Sequence, residues 1–468
     1  MKITNMVVAL LTSTFLVSMA WAQTEMTSSL HQPVSIHQTA FEQGNYASYA
    51  PETAEKPAAP APAPAAASAC CEPSCCEPSC RDSRHAHRCG CEPWTLPQPA
   101  CLSCRGIKLG GWIEQGISAV ATSPTDGYNG VVTFNDRDGE YQLNQLWFYL
   151  EREVDNGGYG WDIGGRVDFV YGTDARFTQA ADGLEANWNQ TERFYQAALP
   201  QFYLDIAYND WLIKMGHFYT FLGYEVVPAP YNFFYSHSYT MQYAEPFTHT
   251  GMLFTRKLGD QWSVTAGIHR GIDQFDDTDG WDTVNFLFGA NWNSYDERLS
   301  LAFGLNASEQ SEFQGPDFVP GNVTDYSLVG TVKVTDNLTW VIQHDYIQKI
   351  LYETAGTNQA EGYGLNQYLL YEINPCWAAG VRFEWFRDDD GAFVRGLGDH
   401  NAAAAGGFAG DFYEITLGVN WTPRSNVIVR PEIRWDWFEP DAGITAKPYD
   451  AGNLDYQFLF GCDFIVTY

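Results

Sequence analysis

The sequence predicts an all-β fold: an antiparallel, up-and-down transmembrane β-barrel of about 16 strands. Three observations predict it. From Arg105 onward, segments of ten to fourteen residues alternate apolar and polar side chains. The connections between them alternate short and long. The chain is 45% hydrophobic and 15% aromatic, yet no segment after the N-terminus approaches the ~20 uncharged apolar residues of a membrane-spanning helix. A strand with one apolar and one polar face suits a wall between lipid and water.

The elements follow in order. Residues 1–22 read as a signal peptide. Lys2 is the positive start, Val7 to Val17 the apolar run, and Ala20-Trp21-Ala22 the cleavage site. Residues 23–69 form an Ala/Pro-rich linker expected to be disordered, since Pro57 to Ala67 offers almost nothing to bury. Residues 70–104 are a Cys-rich segment carrying Cys70, Cys71, Cys75, Cys76, Cys80, Cys89, Cys91, Cys101 and Cys104. After export these nine are disulfide candidates, and the odd number leaves one thiol free or paired between chains. The other reading is zinc held by His85, His87, Cys101 and Cys104; disulfides are the working expectation, with no metal.

Residues 105–468 are the barrel. Its sixteen segments are 105–122, 141–152, 161–173, 196–207, 211–223, 248–258, 262–273, 282–294, 299–309, 325–335, 338–350, 362–373, 378–388, 411–422, 427–438 and 455–468. Tight connections such as Asn209-Asp210 and Asp336-Asn337 alternate with long ones at 123–140, 174–195, 224–247, 310–324, 389–410 and 439–454. That pattern belongs to barrels with periplasmic turns and long outer loops, and an even strand number puts both termini in the periplasm. The last strand ends on alternating aromatics, Tyr456, Phe458, Phe460, Phe464 and Tyr468. Such an ending resembles the signal read by the barrel-assembly machinery, an expected partner along with outer-membrane lipid.

Charge sets the register. In 427–438, Arg430, Glu432, Arg434 and Asp436 share one face, and Val429, Ile433, Trp435 and Trp437 the other. A one-residue slip would turn two arginines toward lipid, at roughly 2–4 kcal/mol each near the midplane. The charged face is therefore the lumen. The same parity places Glu114, Asp162, Arg166, Asp168, Asp205, Lys214, Arg382, Glu384 and Glu414 inside. His344 falls on the apolar face without explanation. Sixteen strands enclose a wet channel.

The connection 224–247 is unlike the others. It holds Tyr231, Phe234, Tyr235, Tyr239 and Tyr243 among further aromatics, with Glu225 and Glu245 as its charges and no Lys or Arg. So aromatic a loop is expected inside the barrel, as a constriction, rather than in water.

The run Gly106-Ile107-Lys108-Leu109-Gly110-Gly111-Trp112-Ile113-Glu114, the run Ile213 to Glu225, and Thr248-His249-Thr250-Gly251 resemble the OmpL-like β-barrel porins of the porin-2 type. The resemblance covers about 105–468 and implies an outer-membrane porin of a double-membraned bacterium.

The net charge of −31 excludes a nucleic-acid partner. No serine–histidine or cysteine–histidine set suggests an enzyme, and His217, His237, His249 and His269 are scattered along the chain. Asp136 and Asp138, Asp276 to Asp279, and Asp388 to Asp390 read as solvated loop tips; each has Phe where a calcium loop needs its first aspartate. No cofactor is expected. The expected function is passive diffusion of small hydrophilic solutes and ions with a mild cation preference, in a monomer or homo-oligomer. The alternative is a closed barrel that anchors a Cys-rich tether.

Overall fold

The computed structural model describes residues 94–180, 182–189, 194–276, 284–309, 312–314, 317–319, 321–353, 356–395 and 407–468. The expected signal peptide, the linker and the cysteines from Cys70 to Cys91 lie outside the described residues.

The strands are β1 (Lys108–Val120), β2 (Tyr141–Arg152), β3 (Trp161–Gly172), β4 (Gln196–Tyr208), β5 (Trp211–Tyr219), β6 (Thr248–Leu258), β7 (Trp262–Ile272), β8 (Asn285–Asn293) and β9 (Leu299–Glu309). They continue with β10 (Glu312–Gln314), β11 (Asp317–Val319), β12 (Gly321–Lys333), β13 (Leu338–Glu353), β14 (Gly356–Asn374), β15 (Trp377–Asp388), β16 (Gly410–Arg424), β17 (Val427–Pro440) and β18 (Tyr456–Thr467). Short helices are α1 (Ala100–Ser103), α2 (Ala175–Thr178) and α3 (Tyr239–Tyr243).

Sixteen of these strands close into one antiparallel barrel, each beside its neighbour in sequence, with β18 against β1. Closure leaves no strand edge without partners, which lipid could not supply. It runs to the last residue, where Tyr468 N–H donates to Gly111 O (2.9 Å) and Gly111 N–H to Tyr468 O (3.0 Å). The ribbon β10–β11 stands outside the barrel sheet, in the connection between β9 and β12.

Alternation explains the two faces. On β17, Ile433 and Trp435 are exposed while Arg430, Glu432, Arg434 and Asp436 are buried. On β4, Phe202 and Leu204 are exposed while Gln201, Tyr203 and Asp205 are buried. At the short-turn end the outer face carries Trp161, Trp211, Trp262, Trp377 and Trp421, with Trp161 against Tyr208 (4.2 Å) and Trp377 against Trp421 (5.7 Å). At the other end Tyr413 stacks on Trp437 (5.0 Å) and Trp435 on Tyr456 (5.6 Å). These are two interfacial aromatic belts. His344 also points outward and stacks on Tyr326 (5.8 Å), which accounts for a polar ring on the apolar face.

Three details differ from the sequence expectation. The segments 338–350 and 362–373 grow into a long ribbon whose pairing continues to Glu353 and Gly356, because Gln348, Ile350 and Gln359 keep an extended pattern past the belt. In β2 the pairing shifts at Asn144, so that Asn144 and Gln145 are both buried, and a bulge of this kind defeats simple alternation. Two acidic tips are not solvated. Asp136 is buried under Arg176 (2.7 Å), and Asp388 accepts the backbone N–H groups of Ala392, Phe393 and Val394.

Before β1, the segment from Trp94 docks on the short-turn rim. Gln98 exchanges side-chain hydrogen bonds with both backbone groups of Leu109 (2.8 Å each). Cys101, on α1, is exposed and free, so it leaves the set of disulfide candidates; Cys104 is exposed just after the helix. Cys376, in the turn between β14 and β15, is disulfide-bonded instead. Its isolation in the sequence, far from the cluster, gave no sign of this.

Candidate functional site

The connection between β5 and β6 folds onto the inner wall, and the wall is built to receive it. Its main chain lacks regular partners, since only a 3-10 turn (Ala229–Tyr231) and α3 interrupt it. Inward charges of β15 to β18 satisfy it instead. Glu432 accepts the N–H groups of Tyr235 (2.9 Å) and Ser236 (3.0 Å). Glu384 sits at the start of α3 and accepts those of Tyr239 and Thr240 (2.7 Å each). The helix is capped by Ser238, whose Oγ accepts Met241 N–H (3.2 Å). Arg430 donates to the carbonyls of Ala229 (3.0 Å) and Asn232 (2.7 Å), and Arg434 to that of His237 (2.5 Å).

Each of these buried arginines also has a carboxylate, as does Arg382 beside them. Arg382 bridges Glu225 of the loop (2.6 Å) and Glu414 (2.5 Å). Arg430 holds Asp463 (2.5 Å) and Glu114 (3.1 Å); Arg434 holds Asp436 (2.8 Å). Removing one partner of such a pair would leave the other charge buried and uncompensated, at a large cost.

Glycines make the space. Gly380, Gly418 and Gly461 lie in nearly one row: Gly380 pairs with Gly418, Gly418 with Glu432, and Glu432 with Gly461. A Cβ on Gly380 would overlap the Phe233 ring, and one on Gly418 would stand 2.9 Å from Phe234. On Gly461 it would meet Tyr235 at 3.2 Å. Gly364 faces Thr240 and Gly116 faces Tyr235 in the same way. Three consecutive aromatics therefore lie in a track free of side chains.

The expected loop residues are brought together here. Phe234, Tyr235 and Tyr239 are buried, and Tyr239 Oη contacts both Asp436 and Tyr449 Oη. Tyr243 donates to Val131 O (2.6 Å) in the first long loop, which also folds inward and places Phe134 on Phe177 (4.6 Å). Tyr231 is half-exposed and meets Trp112 edge-on (6.2 Å). Glu245 accepts from Gln343 (2.5 Å).

The facing wall carries the remaining inward charges. Asp205 pairs with Lys214 (3.0 Å), whose ammonium lies over Tyr203. Arg166 holds Asp168 (2.6 Å) and Glu151 (3.3 Å). Asp162 lies at the short-turn rim, paired with Arg152 (2.9 Å), apart from the rest. Sequence reasoning missed the glycine track, and His249 with His269, whose rings meet at 4.6 Å on the inner face. Neither shows in the alternation of a single strand: the β6–β7 hairpin brings the histidines together, and the pairing of β15 to β18 aligns the glycines.

The family model described as "Putative beta-barrel porin-2, OmpL-like" matches residues 106–468. The chain belongs to that family. It is thus an outer-membrane β-barrel porin by family. The outer membrane channel DcaP of Acinetobacter baumannii shares its fold: it is 12% identical, with a TM-score of 0.51, over 77% of this chain and 97% of that one. Also similar is the trimer form of OmpT from Vibrio cholerae, 13% identical with a TM-score of 0.48, over 77% and 99%. The anion-selective porin of Comamonas acidovorans is 10% identical with a TM-score of 0.48, over 77% and 99%. No curated protein matches.

Proposed function

We propose that this porin passes small hydrophilic solutes by diffusion, that the loop at 224–247 is its constriction, and that it mildly prefers cations. One observation carries the reading: inward charges of strands β15 and β17 grip the loop backbone from within the barrel. So anchored a loop sets the bore rather than drifting at the rim. Cation preference follows from pairing. The inward arginines are matched by carboxylates, while Glu245, Asp325 and Asp345 are in no ion pair with a described residue. Unbalanced acids in a low-dielectric wall concentrate cations, more so as salt falls. Both termini are assigned to the periplasm, with the short turns.

Bilayer recordings of the purified protein test this. Replacing 228–244 by a short Gly/Ser linker should raise conductance and the solute size limit, and a salt gradient should give a potential of potassium sign. An unchanged conductance or an anion-selective potential would refute the constriction or the charge argument, respectively. A second reading, a closed barrel serving as an anchor, is favoured by the burial of Phe134, Tyr239 and Tyr449, one from each of three long connections. It predicts a folded protein with no conductance.

A further inference from the structure

Where the two ends of the loop reach β13, the inner wall changes character. Tyr224 N–H donates to Gln343 Oε1 (3.2 Å), and Gln343 Nε2 donates to both Glu245 (2.5 Å) and Asp345 (2.6 Å). One amide thus stands between two carboxylates. Asp345 lies across from Ser327 on β12, and Asp325 is two residues from Ser327 on the same face. Asn306 of β9 donates to Asp325 Oδ1 (2.6 Å). Asp325, Asp345 and Asn306 are all buried.

Their remaining oxygens are short of donors. Asp325 Oδ2, Asp345 Oδ1 and Asn306 Oδ1 are buried and outnumber the one hydroxyl at hand, that of Ser327 across from Asp345. Glu384, Glu414 and Asp463 are closely bonded by contrast, and Glu114 and Asp205, which also have an oxygen without a hydrogen bond, are each ion-paired to a base. The next inward base along β13 is Lys349, opposite Val323, two places beyond the residue facing Asp325. Orphaned buried acceptors are costly, so several in one spot indicate a missing donor.

The missing donor is not a simple metal ion. Among the described residues, no three acidic, histidine or cysteine side chains converge where one could sit. The acceptors come from three adjacent strands, β9, β12 and β13, and they need N–H groups that fan out. An ammonium carries three donors and a guanidinium five in a planar fork, and neither has an acceptor to leave unsatisfied.

We propose that Glu245, Asp325 and Asp345, with Asn306, form a binding site for the ammonium or guanidinium group of an organic cation. The site deepens the cation-preferring porin reading, on which it rests, and gives it a solute class. Asp325 and Asp345 are the specificity-determining residues, Gln343 and Asn306 the positioning ones.

Agmatine, which carries both groups, is the probe. Titration calorimetry on the detergent-purified full chain should show saturable binding. In the variant Asp325→Asn/Asp345→Asn binding should be at least tenfold weaker. The comparison is Asp260→Asn/Asp336→Asn, which makes the same change of charge at two exposed turns and should bind as the unaltered protein does. A shift in gel mobility on heating verifies that each variant is folded. Absent binding, equal binding by the Asp325/Asp345 variant, or magnesium binding as tightly as agmatine would overturn the proposal. Potassium conductance, recorded separately, reports on the porin reading. A barrel that binds agmatine but conducts nothing would refute that reading and leave the site standing.

Discussion

Replacing Glu432 by alanine should release the middle of the inner loop without opening the barrel. Its carboxylate accepts two buried N–H groups, from Tyr235 (2.9 Å) and Ser236 (3.0 Å). Alanine leaves both without a partner. An orphaned buried donor costs roughly 1–3 kcal/mol, so the docked segment loses roughly 2–6 kcal/mol. At about 1.4 kcal/mol per factor of ten, local opening becomes roughly 30-fold to 20,000-fold more frequent. Arg382 and Arg434 keep Glu414 and Asp436, so the change creates no unpaired arginine. Hydrogen exchange read by mass spectrometry is the assay. Peptides spanning 226–244 should exchange faster by that factor, while those of β15 to β18 keep their rates. Glu432→Gln, which retains one carbonyl acceptor, should fall between. Wild-type exchange in the alanine variant would refute the claim that this carboxylate holds the loop.

Gly418→Val should overpack the track against Phe234, at about 1–3 kcal/mol, and accelerate exchange in the same loop peptides; an unchanged rate would mean the ring has room. In the loop after β3, burial pushes the Glu185 carboxyl up to about 7. A raised carboxyl favours the protonated folded form, so this loop's stability falls as pH rises from about 4.5 to 7 and then levels off. Proteolysis of that loop should be slower at pH 5 than at pH 8, and Glu185→Gln should remove the difference. Because Cys376 is disulfide-bonded, Cys376→Ser should add one reactive thiol to the denatured, unreduced protein; no added thiol would count against the bond.

The register was legible wherever charge and aromatics alternate cleanly. Arg430, Glu432, Arg434 and Asp436 allow one orientation only, because the other places guanidinium groups in lipid. It was not legible in β2, where the bulge at Asn144 buries two neighbours and interrupts the period. The loop's aromatic excess showed that it needs cover, and its lack of bases left its charges to be met by others. What met them was hidden. Tyr239 finds Glu384 145 residues away and Tyr235 finds Glu432 197 residues away, distances at which sequence carries no local signal. Glycines such as Gly380 and Gly418 look like ordinary weak points in strands until the barrel sets them side by side.

Those same separations impose an order on assembly. The loop leaves β5, but its charged holders are on β15 and β17, braced by β16 and β18, which lie far later in the chain. Long closures come late because their entropy is spent before their contacts form. Seating of the loop therefore waits for the final third of the wall, and until then Phe233, Phe234 and Tyr235 stand bare. The half-built barrel presents an aromatic segment that the finished one conceals, and that transient surface is where a folding helper would have most to grasp.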